Sequence, residues 1–288
     1  MSRDERDAVR VLHAIGHDPE SVRVLMPGAW STAFLVGSGG VDLVLRLGGR
    51  IEDYAADAFA AGLDLAEVPV PQVLDHGVQD GLTYALSEFV AGEPLEAVDS
   101  DTWTGVVPQL VDMLEALRGI GPDEPRAPDA WHHHLLDVGE YPWQRGWRER
   151  ADPDAVQLFD VGRTRLGELA VDDAPMSLVH ADWINRNVHV ADGRITAVFD
   201  WGCSQFADHL YDVAWFEFWA PWHPNLDVAQ LREELATRWN SAGIAPLDNP
   251  DRLLACLLHI GLDHIVYNVV HGSLEQLRPT MDRLEQYL

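Results

Sequence analysis

The spacing of the apolar residues changes once along the chain, and this change limits the possible folds strongly. Before residue 90, apolar and polar residues alternate in short runs, as in β-strands; after residue 100, apolar residues recur every three or four positions, as in amphipathic helices. Gly37-Ser38-Gly39-Gly40 separates two alternating runs and predicts a hairpin turn. Strands are predicted over 33–36, 41–47 and 82–87, and helices over 5–16, 52–67, 101–119, 154–170, 226–242 and 250–271.

One short stretch interrupts the helical part. Two apolar runs, 188–190 and 195–199, flank Asp192-Gly193, and this pattern predicts a second, smaller hairpin. We therefore expect an α+β protein with two lobes. A sheet-rich N-terminal lobe over 1–90 is expected to join a larger, mainly helical lobe over 95–288 through a connector at about 87–94.

The net charge of the chain is strongly negative. Acidic residues outnumber basic ones by 47 to 20, which gives a formal net charge of −27 at pH 7. Nucleic acid binding needs a basic surface and is therefore disfavoured. A negative field attracts cationic small molecules, although the same acidity can serve only to keep the protein soluble. All 20 basic residues are arginine, so no mechanism that requires lysine is available.

The N-terminus and the cysteines bear on the cellular compartment. The first residues, MSRDERDAVRVLHAIG, are charged and amphipathic, and no stretch of the chain is an uninterrupted apolar run of about 18 residues. We expect neither a signal peptide nor a membrane span. Cys203 and Cys256 could form at most one disulfide, so a reducing cytoplasm fits the chain best.

Residues 178–202, LVHADWINRNVHVADGRITAVFDWG, carry the pattern His-x-Asp-x₄-Asn-x₁₂-Asp-x-Gly. Kinases use this order: one carboxylate accepts a hydroxyl proton, and an amide and a second carboxylate hold Mg²⁺ against nucleotide phosphates. The hairpin lets Asn187 and Asp200 converge on one metal while Asp182 faces the acceptor. His180 is grouped with Asp182 as a supporting residue that braces the loop. A His-x-Asp pair alone is more often a core pair or a metal-hydrolase ligand set.

At these residues the sequence resembles the aminoglycoside phosphotransferase family of the protein-kinase-like fold, and within it the hygromycin B phosphotransferases most. The resemblance implies a bilobal enzyme that uses Mg²⁺ and ATP or GTP. It is carried by LVHAD (178–182), NVHVADGRITAVFDWG (187–202), FADHLYDVAWFEFWAPW (206–222) and IGLDHIVYNVVHG (260–272). The N-terminal lobe matches only in outline, through GAWSTAFLV, LVLR, PVPQVLDHG and LSEFVAGEPL.

The resemblance also implies a phosphate-binding region in the N-terminal lobe. The phosphate loop is expected at 28–32, where Gly28 and Ser31 match a family glycine and hydroxyl residue, and Ser31 can donate to β-phosphate oxygens. Arg46 occupies the strand position that usually holds lysine, and its planar guanidinium can grip two phosphate oxygens. The alternative for Arg46 is an exposed strand residue.

Two further parts of the nucleotide site follow from the same resemblance. The acidic partner of Arg46 is expected on the helix over 52–67, where Asp57 matches the family spacing best and Glu52 is the second choice. The connector at Ser87-Glu88-Phe89 aligns with the segment whose backbone pairs with the adenine edge in relatives, and a plain linker is the alternative.

The family's antibiotic lies in an acidic cleft of the helical lobe, so acidic and aromatic residues there are candidates for contacting a cationic acceptor. Asp208 and Asp212 have a structural alternative, in which they tie the loop after Asp200 to the next helix. The tryptophans at three- and four-residue spacing are more often core than a platform for sugars. The candidates are Asp208, Asp212, Glu217, Trp219 and Asp263.

The three consecutive histidines 132–134 diverge on a helix or a strand, so they are not expected to share one metal ion. A surface segment or substrate lid fits them better.

The expected function is transfer of the γ-phosphoryl of ATP or GTP to a hydroxyl of a cationic antibiotic, hygromycin B first, by a monomer or homodimer. Alternatives are a kinase of another aminoglycoside, a cyclic peptide, a macrolide or a small metabolite. A nucleotide-binding pseudokinase is disfavoured because Asp182, Asn187 and Asp200 are all present. A metallo-hydrolase built on His180 and Asp182 ranks last.

Overall fold

The computed structural model describes residues 2–27, 31–63, 65–123, 130–169, 171, 174–242 and 249–288. By their internal contacts, the residues fall into two compact units. The first unit comprises Met1–Val98 and Ile184–Ser204, and the second comprises Asp99–Trp183 and Gln205–Leu288. The small hairpin segment 184–204 thus groups with the N-terminal residues, whereas the predicted boundary placed it in the helical lobe. The predicted limits of the lobes stay a prediction.

The first unit is built on an antiparallel sheet. Its strands in chain order are β1 (Ser21–Pro27), β2 (Ser31–Ser38), β3 (Val41–Gly48), β4 (Val73–Gln79) and β5 (Leu82–Glu88). In space their order is β1-β2-β3-β5-β4. The predicted turn between β2 and β3 is present, and Gly39 and Gly40 take the positive φ values, +62° and +79°, that favour glycine in such a turn.

Two helices accompany this sheet. Helix α1 (Arg3–Ala14) begins with a reciprocal cap, in which the Ser2 hydroxyl accepts from the Glu5 amide and the Glu5 carboxylate accepts from the Ser2 amide. Its apolar stripe joins a core cluster with β2, β3 and β5, centred on Phe34. Helix α2 (Ile51–Gly62) contacts β4 and β5.

Five shorter strands complete the strands of the described part of the chain. They are β6 (Glu93–Pro94), β7 (Met176–Val179), β8 (Val188–Ala191), β9 (Arg194–Val198) and β10 (Gln205–Asp208). In the first unit, β6, β8 and β9 pair in that order, and β8 with β9 forms the second predicted hairpin. In the second unit, β7 pairs with β10. Strands β1, β6, β7 and β10 were not predicted, and β6 lies in the segment that was expected to be a connector.

The second unit is otherwise helical. Its helices are α3 (Ser100–Arg118), α4 (Ala130–Leu136), α5 (Pro153–Gly167), α6 (Leu210–Trp219), α7 (Val228–Ser241), α8 (Pro250–His271) and α9 (Leu274–Glu285). Helix α8 packs against α5, α6 and α9. Helices α4, α6 and α9 were not predicted. Helix α6 is mostly apolar and mostly buried, so it has no continuous polar face to give a helical period.

Helix α8 is long and strongly apolar. Over its 22 residues it is long and apolar enough to cross a membrane, and it alone among the described helices meets that test. About two thirds of its most apolar window, 67 %, is buried inside the protein. Burial of this kind is typical of a helix at the centre of a protein core.

Candidate active site

The predicted catalytic pattern is divided between the two units, because the chain leaves the second unit after Trp183. His180 and Asp182 belong to the second unit, whereas Asn187 and Asp200 belong to the first. Each half has its own supporting contacts.

In the first unit, the hairpin of β8 and β9 brings the two expected metal ligands to its open end. Val188 pairs with Val198, and the Phe199 amide donates to the Asn187 carbonyl at 2.7 Å. Asn187 therefore accepts the last hydrogen bond of the hairpin, and Asp200 directly follows the residue that donates it. Asn187 is 7 % exposed, while the Asp200 side chain is 53 % exposed and its backbone takes a left-handed φ of +57°.

The donor set at this end of the hairpin suits Mg²⁺. An amide oxygen and a carboxylate are oxygen ligands, and Mg²⁺ commonly takes one or two protein oxygens together with phosphate and water. Among the described residues, no group of three or more His, Cys, Asp or Glu side chains could hold a metal ion. The oxygen atoms of Asn187 and Asp200 are of the kind that a Mg²⁺ site completed by phosphate and water requires.

Arg46 on β3 forms the predicted ion pair with Asp57 on α2. The Arg46 guanidinium also lies 4.8 Å from the centre of the Tyr54 ring and 3.8 Å from the Asp200 carboxylate. Asp57 is 5 % exposed, and its second oxygen accepts from the Trp201 amide at 2.8 Å. One buried carboxylate thus holds both Arg46 and the residue after Asp200.

The second-choice partner, Glu52, does not reach Arg46. Its side chain is largely exposed and lies 3.7 Å from Arg50. The contact of Asp57 with the Trp201 amide was not foreseen, because it joins residues 144 positions apart. No local pattern in the sequence reports such a contact.

A second aspartate of α2, Asp53, also lies against the segment that follows Asp200. A Cβ atom on Gly202 would come within 2.9 Å of the Asp53 Cβ, so the loop approaches the helix at a distance that glycine allows. Burial raises the pKa of Asp53, while the nearby Arg50 lowers it. Sequence reasoning missed Asp53, and the glycine of Asp-x-Gly was the one available hint.

The phosphate-loop prediction is only partly within the described residues. Gly28 lies outside them. Ser31 is the first residue of β2 and shares a side-chain hydrogen bond with Tyr54, whose pKa is raised by burial. The Tyr54 hydroxyl also donates to the Gly48 carbonyl at 2.6 Å.

The backbone of Ser87-Glu88-Phe89 was expected to pair with the adenine edge, and two of its amides donate inside the protein. Ser87 and Glu88 end β5, the Glu88 amide donates to the Gln72 carbonyl at 3.0 Å, and the Phe89 amide donates to the Asp42 carbonyl at 3.4 Å. In the part of the chain that the structure describes, the Val90 amide has no hydrogen-bond acceptor.

In the second unit, one buried carboxylate organises the loop that carries Asp182. The Asp212 carboxylate accepts from the His180 amide at 3.0 Å and from the Ala181 amide at 2.8 Å. Ala181 has a positive φ of +62°, which is uncommon without glycine and is held here by these two bonds. Burial raises the pKa of Asp212 to about 6, although its hydrogen bonds act in the opposite direction.

The His180 ring supports the same loop. It is fully buried, packs 5.2 Å from the Trp183 ring, and its Nδ1 accepts from the Asp182 amide at 3.2 Å. An acceptor Nδ1 means that this nitrogen carries no proton. These contacts support the bracing role and give the ring no access to solvent.

Asp208 is also a structural residue. It is 0 % exposed, accepts two hydrogen bonds of 2.6 Å from the Arg252 guanidinium, and accepts from the Leu210 amide at 3.0 Å. Neither Asp208 nor Asp212 offers a free surface on which a ligand can lie. The structural alternative therefore replaces the predicted acceptor contact for both residues.

The Asp208–Arg252 pair leads to a stability prediction. Arg252→Met is expected to lower the free energy of unfolding by about 3–5 kcal/mol, because it leaves a buried carboxylate without its cation. Arg238→Met is the matched control, since Arg238 pairs with the half-exposed Asp112 and such pairs contribute about 0–1 kcal/mol. Urea denaturation of both variants measures the difference. Equal losses for the two variants would contradict the assignment.

Of the remaining acceptor candidates, two keep surface that a ligand can use. The Trp219 ring is partly exposed and packs 4.7 Å from the His264 ring, and its buried indole N–H has no acceptor among the described residues. Asp263 is partly exposed, accepts from the Gln144 amide group at 2.7 Å, and has its pKa raised to about 6 by burial. Glu217 is less available, since its carboxylate lies 2.5 Å from the Arg232 guanidinium.

The three consecutive histidines lie on α4. His134 stacks on Trp131 with ring centres 5.4 Å apart and also packs against Tyr141, while His133 is exposed. Neighbouring histidines thus face different surroundings, as predicted for a helix.

His259 is the deepest of the buried histidines with a lowered pKa. Burial and the neighbouring His134 and His264 lower its pKa to about 3, and its Nδ1 lies 2.9 Å from the Tyr211 hydroxyl. The unfolded chain takes up this proton near pH 6.5, so the contribution of His259 to stability is fully present above that pH and is lost as pH falls toward 3.

We therefore expect the stability difference between the wild type and His259→Gln to depend on pH. The difference should shift in favour of the variant by about 1.4 kcal/mol for each pH unit below 6.5. Urea denaturation of both proteins at pH 7.0, 5.5 and 4.5 measures it. A difference that stays constant over this range would mean that His259 titrates normally.

The chain is similar to known phosphotransferases. Residues 24–248 match the phosphotransferase enzyme family. Hygromycin-B 4-O-kinase of Escherichia coli is 28 % identical over 298 residues, which cover 96 % of this chain and 83 % of that protein.

Solved structures give the same result. The crystal structure of aminoglycoside phosphotransferase APH(4)-Ia superposes with a TM-score of 0.79 at 25 % identity and covers 99 % of this chain and 97 % of that one. A ternary complex of a thermostable APH(4)-Ia mutant with AMP-PNP and hygromycin B superposes with a TM-score of 0.79 at 24 % identity, covering 99 % and 98 %. The fold is therefore the α+β, kinase-like fold of these enzymes, and since the family match spans most of its length, the chain belongs to the phosphotransferase enzyme family.

Proposed function

We propose that this phosphotransferase moves the γ-phosphoryl group of ATP or GTP to a hydroxyl group of a cationic aminoglycoside, hygromycin B first, and thereby confers resistance to it. The observation that carries the proposal is the Asp57 carboxylate, which holds Arg46 and the backbone beside Asp200 in one arrangement. This arrangement would keep Arg46 and Asp200 close enough to act on the same nucleotide. The similarity to hygromycin-B 4-O-kinase supplies the acceptor class.

The chemistry assigned to Asp182 is that of a general base. An acceptor hydroxyl oxygen attacks the γ-phosphorus, the bond to the β-phosphate oxygen breaks, and the nucleoside diphosphate leaves. The hydroxyl proton passes to the Asp182 carboxylate. Asp212 keeps the backbone before Asp182 in its strained form, so the carboxylate is oriented before the acceptor arrives.

Asn187 and Asp200 would hold Mg²⁺. When bound, the ion neutralises charge on the phosphates as the phosphoryl group moves. The hairpin fixes Asn187 through its carbonyl, and Asp57 fixes the chain after Asp200 through the Trp201 amide. Both ligands thus have backbone that is held independently of the ion, which lowers the entropic cost of binding it.

The remaining nucleotide contacts follow from the first unit. Arg46 would bind phosphate oxygens with the guanidinium edge that Asp57 leaves open, and arginine suits this task because its donors form a planar fork. Val90 would donate its amide to the base. Gly28 and Ser31 keep their proposed place at the phosphates.

Trp219 and Asp263 are the proposed acceptor contacts in the second unit. An exposed indole face can stack on a sugar ring, and a carboxylate can pair with an ammonium group. A polycation would also favour the ionised form of Asp263, whose pKa burial raises. The net charge of −27 would raise the encounter rate with such a ligand. We further propose that the enzyme acts in the cytoplasm as a monomer or homodimer.

The test is nucleotide consumption by the purified protein with Mg²⁺ and ATP or GTP against a set of acceptors. The set contains hygromycin B, kanamycin, streptomycin, a cyclic-peptide antibiotic and a macrolide. Turnover with hygromycin B alone supports the proposal as stated, and turnover with another compound moves it to that acceptor. Nucleotide binding without turnover on any compound would contradict the antibiotic assignment.

A further inference from the structure

The loop that precedes Asn187 has an unusual backbone. Asn185 and Arg186 are consecutive residues with φ of +74° and +70°, and neither is glycine. A left-handed conformation is tolerated by asparagine but is unfavourable for arginine, and two such residues in a row persist only where the surroundings hold them. The backbone at the metal ligand therefore depends on an outside contact.

Glu96 supplies such a contact. Its carboxylate oxygen accepts from the Arg186 amide at 2.6 Å. A hydrogen bond from a backbone amide to a carboxylate is among the stronger ones in proteins, and this one fixes the peptide unit between Asn185 and Arg186, one residue before Asn187.

Glu96 is itself well placed to act as an anchor. It lies in a short helical turn, Leu95–Ala97, whose Leu95 is fully buried. The turn directly follows β6, in which Pro94 pairs with His189 of β8. Glu96 and Asn187 thus lie beside paired strands of the same small sheet, and the chain at Asn187 is held on one side through the Arg186 amide and on the other through the Asn187 carbonyl.

We propose that Glu96 is a positioning residue for Asn187: it holds the left-handed Asn185-Arg186 turn and so keeps the Asn187 amide oriented for Mg²⁺. The inference rests on the proposed function, since it assumes that Asn187 binds the ion. It adds to that function a residue far from the catalytic pattern in sequence.

The measurement is the Mg²⁺ concentration that gives half-maximal binding of ADP, by calorimetry on the full-length protein. Removal of a residue that orients a metal ligand typically costs about 10–100-fold in metal affinity, so Glu96→Ala is expected to raise this concentration by about tenfold or more. Glu96→Gln keeps an acceptor oxygen and should lose much less. Glu67→Ala removes an exposed acid elsewhere in the first unit and is the control for charge. It should change the half-maximal Mg²⁺ concentration by less than about twofold.

A glycine at position 186 tests whether Glu96 acts by holding the left-handed backbone and not by its charge. Glycine takes positive φ without strain, so Glu96→Ala with Arg186→Gly should recover most of the lost Mg²⁺ response. Glu96→Ala with Arg186→Ala removes the same positive charge but keeps the strain, and should not recover it. Equal behaviour of the two double variants, or a fall in the unfolding temperature of Glu96→Ala with an unchanged Mg²⁺ response, would overturn the inference.

Failure of the proposed function has a different outcome. In that case the wild-type protein itself would bind ADP without any dependence on Mg²⁺, or would not bind it. The inference on Glu96 is overturned separately, when the wild type responds to Mg²⁺ and Glu96→Ala responds equally.

Discussion

Asp182→Asn is expected to lower kcat by about 10²–10⁴-fold while the affinity for nucleotide stays within about twofold of the wild type. The asparagine side chain has the shape of the carboxylate but cannot take the hydroxyl proton. The backbone N–H of residue 182 keeps its hydrogen bond to the His180 ring. Steady-state kinetics with the identified acceptor measures kcat, and calorimetry with ADP measures nucleotide binding.

Asp192→Asn is the matched control for this change. Asp192 is an exposed residue in the turn of the small hairpin, with φ of +51°, a conformation that asparagine also tolerates. It makes the same chemical exchange ten positions away and should leave kcat unchanged. A loss of nucleotide affinity in Asp182→Asn equal to its loss of kcat would argue against the role of base.

Arg46→Ala is expected to lower kcat/KM by about 10²–10³-fold, because it removes a charged donor from the phosphates. Arg194→Ala removes an exposed arginine from the same unit and should have no such effect. Asp57→Ala is expected to cost a similar factor, because it releases Arg46 and the Trp201 amide together.

The double variant distinguishes a shared role from two separate ones. If Asp57 acts through Arg46, the loss in Arg46→Ala/Asp57→Ala should fall short of the combined single losses by more than about 1 kcal/mol in transition-state free energy. Asp57→Ala should still add a smaller loss to Arg46→Ala, because Asp57 also holds the Trp201 amide. Strict additivity of the two changes would mean that the ion pair does not serve the phosphates.

The sequence predicts the parts of this site that depend on local pattern. Asn187 and Asp200 meet because the hairpin turn at Asp192-Gly193 is a short-range signal, and Arg46 stands on a strand that alternation reveals. The family spacing that the resemblance implies was enough to choose Asp57 over Glu52 as the partner of Arg46.

The contacts that the sequence does not predict join distant segments. Asp57 with Trp201, and Glu96 with Arg186, lie 144 and 90 positions apart. The roles of Asp208 and Asp212 were open for the same reason: a carboxylate that binds a ligand and one that caps buried amides look alike in sequence. Burial and the partners Arg252, His180 and Ala181 decide between them.

The most direct test of the central claim is ³¹P NMR of a reaction mixture that contains the protein, Mg²⁺, ATP and hygromycin B. We expect a new phosphate monoester resonance that splits through coupling to a sugar proton and grows in equal amount with ADP. The Asp182→Asn variant should produce neither signal at a comparable rate. Release of inorganic phosphate with ADP, and no phosphate monoester on the antibiotic, would contradict transfer to a hydroxyl and indicate hydrolysis of the nucleotide instead.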